Sequence, residues 1–129
     1  MTELEKYIQT YFSVSSHDVT LISTLFKPKT LKKGEFFLKS GRRSDKLGVV
    51  QSGIIREFIY VDDKEVTKWI SVKSHFVVDL ASFIFNRPAR WYIQAITDCE
   101  LYVLDSSDYR NIQQLVPRWT ELEKLLIAK

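Results

Sequence analysis

Apolar residues recur at helical spacing near the two ends of the chain and in short extended runs between them. At the N-terminus, Thr2 and Glu5 have the spacing of a capping box, in which each side chain pairs with the other's backbone N–H. The apolar residues around this box recur at intervals of three and four, which predicts an amphipathic helix. They are Leu4, Tyr7, Ile8, Tyr11 and Phe12.

A second short helix is predicted directly after the first. Ser16 is its expected N-cap because a serine hydroxyl can accept a hydrogen bond from a first-turn N–H. Ile22, Leu25 and Phe26 form the stripe that we expect to be buried. Pro28 is expected to end this helix because proline lacks the N–H that a helix interior requires.

From Thr30 to Asp105 the pattern changes to short extended runs that are separated by turn residues. After an alternating stretch at 30–33, the runs are EFFLKS, LGVVQSG, IIREFIY, TKWISV, RWYIQAIT and CELYVLD. Three of the glycines fall where tight turns are expected, whereas Gly48 lies inside a run and indicates a bulge or a close backbone contact. Short strands at this spacing predict an all-β sandwich or barrel.

The helical pattern returns after Asp105. The segment SSDYRNIQQLV places Tyr109, Ile112 and Leu115 on one side. Pro117 is expected to open a last helix, because proline is tolerated in a first turn. The apolar stripe of that helix consists of Trp119, Leu122, Leu125 and Leu126.

Several classes of protein are excluded by residues that the sequence lacks. The single cysteine, Cys99, permits no internal disulfide and fits a reducing compartment. No apolar run approaches the roughly 20 residues that span a bilayer, and the acidic N-terminus does not resemble a secretory signal. The two histidines, His17 and His75, lack partners at metal-ligand spacing, and no nucleophile or nucleotide motif is present. We therefore predict a cytoplasmic protein without a metal or a membrane partner, and not an enzyme.

Basic residues are concentrated in one part of a chain whose formal net charge is only +3. Within 27–43 they are opposed only by Glu35. This segment is either a solvated surface or a face that binds anions or nucleic acid without sequence specificity. Its basic residues are Lys27, Lys29, Lys32, Lys33, Lys39, Arg42 and Arg43.

The segment VVDLASFIFNRPAR, residues 77–90, begins as a strand, becomes briefly helical, and turns at an Asn-Arg-Pro sequence. Asp79 has two interpretations. It is either the N-cap of a short helix from Leu80 to Phe85, or a ligand-binding acid. Arg90 is likewise either a solvated cation at a strand end or the cationic partner of an anionic ligand.

The ordered set of these segments resembles a known family. LKKGEFFLKSGRRSDKLGVVQSGIIREFIYVDDKEVT resembles the first half of the cyclic-nucleotide-binding domain of catabolite-activator-type (Crp/Fnr) bacterial transcription regulators. HFVVDLASFIFNRPARWYIQAITDCELYVL resembles the phosphate-binding cassette and the two closing strands of that domain. The likeness covers roughly residues 20 to 116 and is greatest to a divergent branch common in Bacteroidetes-type bacteria.

The resemblance implies a mainly β fold with flanking helices, built on a double-stranded β-helix or jelly roll. One domain, 1–129, would consist of a helical part (1–26), a β-roll (27–105) and C-terminal helices (106–129). In this family a short helix points its N-terminus at the cyclic phosphate. An acid binds the ribose hydroxyl and an arginine pairs with the phosphate charge.

The resemblance carries a candidate cassette onto this chain. Asp79 takes the place of the ribose-binding acid, while Val78 and Ala81 replace two glycines. Ala89 takes the place of the phosphate-binding arginine, with Arg90 one residue later and therefore on the opposite face of a strand. The candidate ligand-binding residues are Val78, Asp79, Leu80, Ala81, Ser82, Arg87, Ala89 and Arg90.

The resemblance also implies a function and partners. We predict the sensor or effector domain of a regulator, which binds a small anionic ligand or a cyclic-AMP-like nucleotide, or acts by dimerisation. The helix that begins near Trp119 would pair across a two-fold axis in a homodimer. DNA would be bound only through a helix-turn-helix domain, which these 129 residues do not contain. The alternatives are a ligand-free barrel that serves for dimerisation and a nucleic-acid-binding surface at Lys27–Arg43.

Overall fold

The computed structural model of the chain describes residues 1–12, 14–116, 119 and 123. Within them, two helices precede the strands, one interrupts them and one follows them. The helices are α1 (Glu3–Phe12), α2 (Ser16–Ser23), α3 (Leu80–Phe85) and α4 (Ser106–Leu115). The strands are β1 (Lys27–Leu31), β2 (Phe36–Leu38), β3 (Lys46–Ser52), β4 (Ile55–Val61), β5 (Lys64–Ser71), β6 (Phe76–Val77), β7 (Tyr92–Ala95) and β8 (Cys99–Asp105).

The strands form two antiparallel four-stranded sheets. The first has the order β1-β8-β3-β6 and the second has the order β2-β7-β4-β5. Each sheet thus combines strands from both halves of the chain, as in a jelly roll. The predicted fold, a mainly β jelly roll with flanking helices, is confirmed.

The first sheet separates two apolar cores, and alternation along its strands assigns side chains to one or the other. Leu47 and Val49 on β3 belong to the core beneath the helices, whereas Val50 belongs to the core inside the roll. Leu104 and Leu101 on β8 divide in the same way. Successive residues of a strand point to opposite faces, so one strand serves both cores.

Gly48 allows two side chains to pack closely against β3 inside the roll. A Cβ atom at this position would lie 2.9 Å from a methyl group of Val77 and 3.2 Å from the Phe37 ring. Two side chains, rather than a neighbouring backbone, thus lie close to the Gly48 backbone. One of them, that of Phe37, packs against the interior core.

The N-terminal helices follow the predicted pattern with two corrections. The Thr2–Glu5 capping box forms, with both backbone-to-side-chain hydrogen bonds at 3.1 Å. The N-cap of α2 is Ser15 rather than Ser16, because the Ser15 hydroxyl accepts from the N–H of Asp18. Pro28 does not end this helix, which stops earlier, at Ser23.

The position of Pro28 has a simple physical reason. It lies in β1, an edge strand of the first sheet. An edge strand tolerates proline because one of its sides needs no ladder hydrogen bonds.

Helix α4 also departs from its predicted stripe. Tyr109 and Ile112 are buried as predicted, but Leu115 is 44% exposed and Val116 is 1% exposed. The buried face therefore continues four residues after Ile112 rather than three, as helical geometry permits. The helix predicted from Pro117 to Lys129 lies outside the described residues except for Trp119 and Glu123.

Trp119 is buried against the N-terminal part of the chain. Its ring lies 4.9 Å from that of Phe12 and 5.6 Å from that of Tyr109, measured between centroids. None of the described helices is long and apolar enough to cross a bilayer. Among the described residues, no group of three or more His, Cys, Asp or Glu side chains is arranged to hold a metal ion.

Candidate functional site

The candidate site is built around the short helix α3, which forms an elbow between β6 and β7. Asp79 is its N-cap, as the first interpretation predicted: the Ser82 N–H donates to Asp79 Oδ1 at 3.2 Å. The Phe83 N–H donates to the Asp79 carbonyl at 2.8 Å. Asn86 ends the elbow in the left-handed conformation, with φ of 57°. The elbow is therefore defined by residues of its own segment.

The second oxygen of the Asp79 carboxylate closes the elbow. Oδ2 accepts from the Arg90 N–H at 2.9 Å, and Asp79 is only 5% exposed. Both carboxylate oxygens thus have backbone donors within the protein. The partial positive charge at the start of a helix attracts an anion, and here the protein's own carboxylate supplies that anion.

Further hydrogen bonds hold the elbow to the loop between β2 and β3. The buried Ser82 hydroxyl accepts from the Ser44 N–H at 2.6 Å. The Ala89 N–H donates to the Arg42 carbonyl at 2.7 Å, and the Gly41 N–H donates to the Ala89 carbonyl at 2.8 Å. The elbow and this loop consequently form one hydrogen-bonded unit.

The structure divides the predicted cassette residues between different surroundings. Val78 and Leu80 pack against the core beneath the helices and so face away from the roll interior. Ala81 is half-buried at the start of the elbow. Ala89 is 4% exposed and belongs to the interior core.

The two candidate arginines lie outside the roll. Arg87 and Arg90 are both exposed. Neither guanidinium forms an ion pair or a hydrogen bond with another described residue; Arg90 contributes its backbone N–H alone. The site therefore brings together Asp79, Ser82 and Ala89, but it does not bring the predicted cations to them.

Glu57 is a residue of this site that the sequence analysis missed. On β4 it pairs with Ile93 of β7, and it lies two residues from Ile55; both isoleucines belong to the interior core. Residues paired in this way share a face, so the Glu57 side chain points into the roll. Burial and, second, the charge of Asp79 raise the pKa of Glu57 to about 7.

Ser71 adds a hydroxyl to the same face. It pairs with Ile55, is 1% exposed, and its Oγ has no hydrogen-bond partner among the described residues. We refer to Glu57, Ser71 and Asp79 together as the interior polar group. A buried hydroxyl without a partner is unusual, which makes this group a candidate for ligand contact.

The interior polar group has a weak sequence signature. In the segment IREFIYV, large apolar residues stand on both faces of the strand. Phe58 is buried on the outer face, where its ring stacks on that of Tyr92 at 5.2 Å between centroids. Because apolar residues occupy both faces of β4, the alternation of apolar and polar residues did not show that Glu57 points into the roll.

The raised pKa of Glu57 makes a prediction about stability. Because the folded chain holds the proton more tightly than a carboxyl of ordinary pKa, 4.5, the contribution of Glu57 is complete below pH 4.5 and is lost as the pH rises through about 7. Partial exposure screens the effect, so we expect the free energy of unfolding to fall by about 2 kcal/mol between roughly pH 5 and pH 8. Urea unfolding as a function of pH measures it.

A pair of variants assigns this pH dependence. Glu57→Gln should be more stable than the parent at pH 8 by about 2 kcal/mol and indistinguishable from it near pH 5. Asp63→Asn, an exposed change at the β4–β5 turn, serves as the control and should leave the pH profile unchanged. A Glu57→Gln profile that runs parallel to that of the parent would contradict the assignment.

The described cavities are not lined by the interior polar group, although one of them reaches Phe37 and Leu38 of the interior core. Three have volumes of about 440, 260 and 280 Å³, and Asp79, Ala89 and Arg90 line none of them. The interior itself is packed with the aliphatic side chains of the inner core and with Phe37.

The basic segment at 27–43 is spread over the surface. The turn at Gly34 is hydrogen-bonded to Ala95, whereas the turn at Gly41 is hydrogen-bonded to Ala89. Ala95 is the last residue of β7, and Ala89 precedes the first residue of that strand, Tyr92, by three positions. The lysines at 32–33 and the arginines at 42–43 thus lie at opposite ends of β7, and nucleic-acid binding by this segment stays a prediction.

Comparison with known proteins identifies the family. The family model described as "Cyclic nucleotide-binding domain" matches residues 28–114. This range includes the whole elbow and every strand residue except Lys27, the first residue of β1. The chain belongs to the cyclic nucleotide-binding domain family. No curated protein sequence matches this domain.

Solved structures share the fold of this cyclic nucleotide-binding domain. The catabolite activator protein of Thermus thermophilus matches with a TM-score of 0.80 at 20% identity, over 92% of this chain and 55% of that one. The sensor domain of the transcriptional regulator DNR from Pseudomonas aeruginosa matches with a TM-score of 0.76 at 16% identity, over 96% and 83%.

A third structure is a regulatory subunit of a cAMP-independent protein kinase A from Trypanosoma cruzi, bound to guanosine. It matches with a TM-score of 0.74 at 12% identity, over 84% of this chain and 40% of that one. The chain thus spans about half or less of the length of several similar proteins. At these identities the likeness concerns the fold.

The comparisons confirm the resemblance to catabolite-activator-type sensor domains at the level of family and fold. Membership of the Bacteroidetes branch, a homodimer, a cytoplasmic location and the lack of enzymatic activity remain predictions. The role of each cassette residue in ligand binding also remains a prediction.

Proposed function

We propose that this domain is the sensor domain of a catabolite-activator-type transcription regulator, and that its interior polar group binds an uncharged, hydroxyl-bearing ligand of nucleoside type in preference to a cyclic nucleotide. The observation that carries the proposal is the buried methyl group of Ala89 at the place of the family's phosphate-binding arginine. Two carboxylates, of Glu57 and Asp79, approach closely enough in the same interior to interact.

The missing arginine weakens the binding of a cyclic phosphate. A charged hydrogen bond contributes about 1.5–3 kcal/mol, so its loss lowers affinity by about 10- to 150-fold. The single negative charge of a cyclic nucleotide would also be repelled by the Asp79 carboxylate and by Glu57 when it is ionised. A family ligand of the usual kind therefore fits this site poorly.

The same groups suit a ligand that offers hydroxyl or N–H donors. The Glu57 carboxyl makes no hydrogen bond with another described residue, and the Ser71 hydroxyl has no partner among them either. Each gains a partner if a ribose hydroxyl or a base N–H reaches it. The guanosine-bound kinase subunit from Trypanosoma cruzi is a precedent for a nucleoside ligand in a protein of this fold.

Titration calorimetry at pH 7 tests the proposal with matched ligand pairs: guanosine against cyclic GMP and adenosine against cyclic AMP. We expect at least one nucleoside to bind at least about tenfold more tightly than its cyclic phosphate. A cyclic nucleotide that binds as tightly as its nucleoside, or more tightly, would refute the preference.

Variants of the same domain locate the preference. Glu57→Gln removes an interior charge and should reduce the difference in affinity between a nucleoside and its cyclic nucleotide. The control, Asp63→Asn, removes the same formal charge at the exposed β4–β5 turn and should leave this difference in affinity unchanged. An equal effect of both variants would mean that net charge, rather than the interior polar group, sets the preference.

A second candidate function is a ligand-free roll that serves for dimerisation. The dense interior core, including Phe37, favours it. If neither nucleosides nor cyclic nucleotides give saturable heat, this function replaces the first. Sedimentation equilibrium then tests it, and a monomer at millimolar concentration would count against it.

A further inference from the structure

The largest of the described cavities, about 440 Å³, lies outside the roll between the elbow helix α3 and helix α4. Its volume falls within the range of small-molecule sites, about 300–1,000 Å³. Residues of the interior polar group do not line it. It is therefore separate from the site of the proposed function, and we call it the elbow cleft.

Two elements and one loop supply the walls of the elbow cleft. Tyr109, Arg110 and Gln113 of α4 line it, and their spacing places them on one face of that helix. Phe83 and Ile84 of the elbow form an apolar wall opposite. Arg43 reaches the cleft from the loop between β2 and β3. The cleft thus combines an apolar wall with polar side chains from different parts of the chain.

The charges of the elbow cleft favour an anion. Arg43 and Arg110 are both exposed, and neither forms an ion pair with another described residue. The acid in the lining, Glu123, accepts a hydrogen bond of 2.6 Å from the Tyr109 hydroxyl. Two guanidinium groups and the Gln113 amide remain to contact a ligand. Guanidinium groups suit phosphate and carboxylate because they donate paired, charge-assisted hydrogen bonds.

We propose that the elbow cleft is a second binding site, for a small molecule that carries a phosphate or carboxylate group on an aromatic or apolar body. The anionic group is placed between Arg43 and Arg110. The apolar body packs against Phe83 and Ile84. This proposal does not depend on the ligand of the roll interior, which is proposed to be uncharged.

The position of the elbow cleft gives such a ligand access to the elbow. The loop that carries Arg43 is hydrogen-bonded to the elbow through Ser44 and Ser82, at 2.6 Å. A ligand held by Arg43 and Arg110 would therefore connect the elbow to α4. A ligand that shifts Tyr109 would also act on Trp119, whose ring lies 5.6 Å from that of Tyr109.

The test is a titration of the isotope-labelled chain followed by ¹H–¹⁵N NMR. The probes are phenyl phosphate and benzoate, which carry both chemical features, with inorganic phosphate and phenol carrying one feature each. We expect saturable shifts at the amides of Asn86, Tyr109 and Arg110 with phenyl phosphate or benzoate, and weaker binding of the single-feature probes. Whichever of the two binds more tightly distinguishes a phosphate ligand from a carboxylate ligand.

Three variants decide whether the arginines bind the anion. Arg43→Gln and Arg110→Gln should each weaken binding of the better probe by about tenfold or more, the effect of one charged hydrogen bond. Arg87→Gln removes an exposed arginine that follows the elbow but does not line the cleft, and should have no such effect. Because all three side chains are exposed, the folded spectrum is expected to persist.

Three results would overturn the proposal. The first is the absence of saturable shifts with both phenyl phosphate and benzoate. The second is full binding in either Arg43→Gln or Arg110→Gln, or equal weakening by Arg87→Gln. The third is a set of shifts centred on Glu57 and Asp79 rather than on the elbow cleft.

Discussion

Replacing Asp79 by alanine is expected to lower the free energy of unfolding by about 3 kcal/mol. Loss of the N-cap bond to Ser82 costs about 1 kcal/mol. The Arg90 N–H loses its side-chain acceptor at a part-buried position, which adds about 2 kcal/mol. Urea denaturation followed by circular dichroism measures the sum.

The control for this prediction is Asp45→Ala. Asp45 is an exposed acid whose carboxylate lies 3.6 Å from the ammonium group of Lys46. Exposed ion pairs contribute little, so this change should cost less than about 1 kcal/mol. If Asp79→Ala cost no more than Asp45→Ala, the carboxylate would not be what holds the elbow, and the site described above would lose its basis.

Replacing Gly53 by alanine is expected to cost about 3 kcal/mol or more. Gly53 joins β3 to β4 with φ of +94°, where a side chain is strained. A Cβ atom there would lie 2.5 Å from the Asp98 carbonyl oxygen and 2.6 Å from Cys99 Sγ. The turn must therefore move away from the start of β8, and pairing at that end of the roll is disturbed.

Gly41→Ala separates the backbone strain of a positive φ from the steric clash of the added Cβ atom. Gly41 has φ of +89°, nearly the same as Gly53, but no atom of the described residues lies within 4 Å of the place that its Cβ would take. It should show the backbone strain alone, about 1 kcal/mol. Thermal or urea unfolding of the two variants side by side measures the difference, and equal losses would mean that the contact with Asp98 and Cys99 is readily relieved.

Local sequence patterns predicted the elbow residue by residue. Asp79 as N-cap and a helix from Leu80 to Phe85 both follow from groups close together in the chain, and both are confirmed. The N-cap of α2 was wrong by one residue because two adjacent serines, Ser15 and Ser16, offer the same hydroxyl. Local chemistry thus predicts that a helix has an N-cap. It does not predict which of two adjacent serines is that N-cap.

The contacts of the candidate sites were not predictable in this way. Ser71 is an ordinary polar residue in the sequence, and only its pairing with Ile55 shows that its hydroxyl is buried inside the roll. Arg43 and Arg110 are 67 positions apart, yet both line one cleft. The substitution at Ala89 was readable from the resemblance. Exposure of Arg90 was one of two interpretations of that residue, and only the structure decided between them.

The sequence by itself determined an all-β sandwich or barrel, its turns and the capped elbow, because alternation, glycine turns and caps act between residues near one another in the chain. The family resemblance narrowed this class to a jelly roll. Only the tertiary structure decided that Glu57 lies close enough to Asp79 for their charges to interact, and that two distant arginines share the elbow cleft. These contacts depend on strand register and helix packing, in which a shift of one residue reverses the face that a side chain occupies.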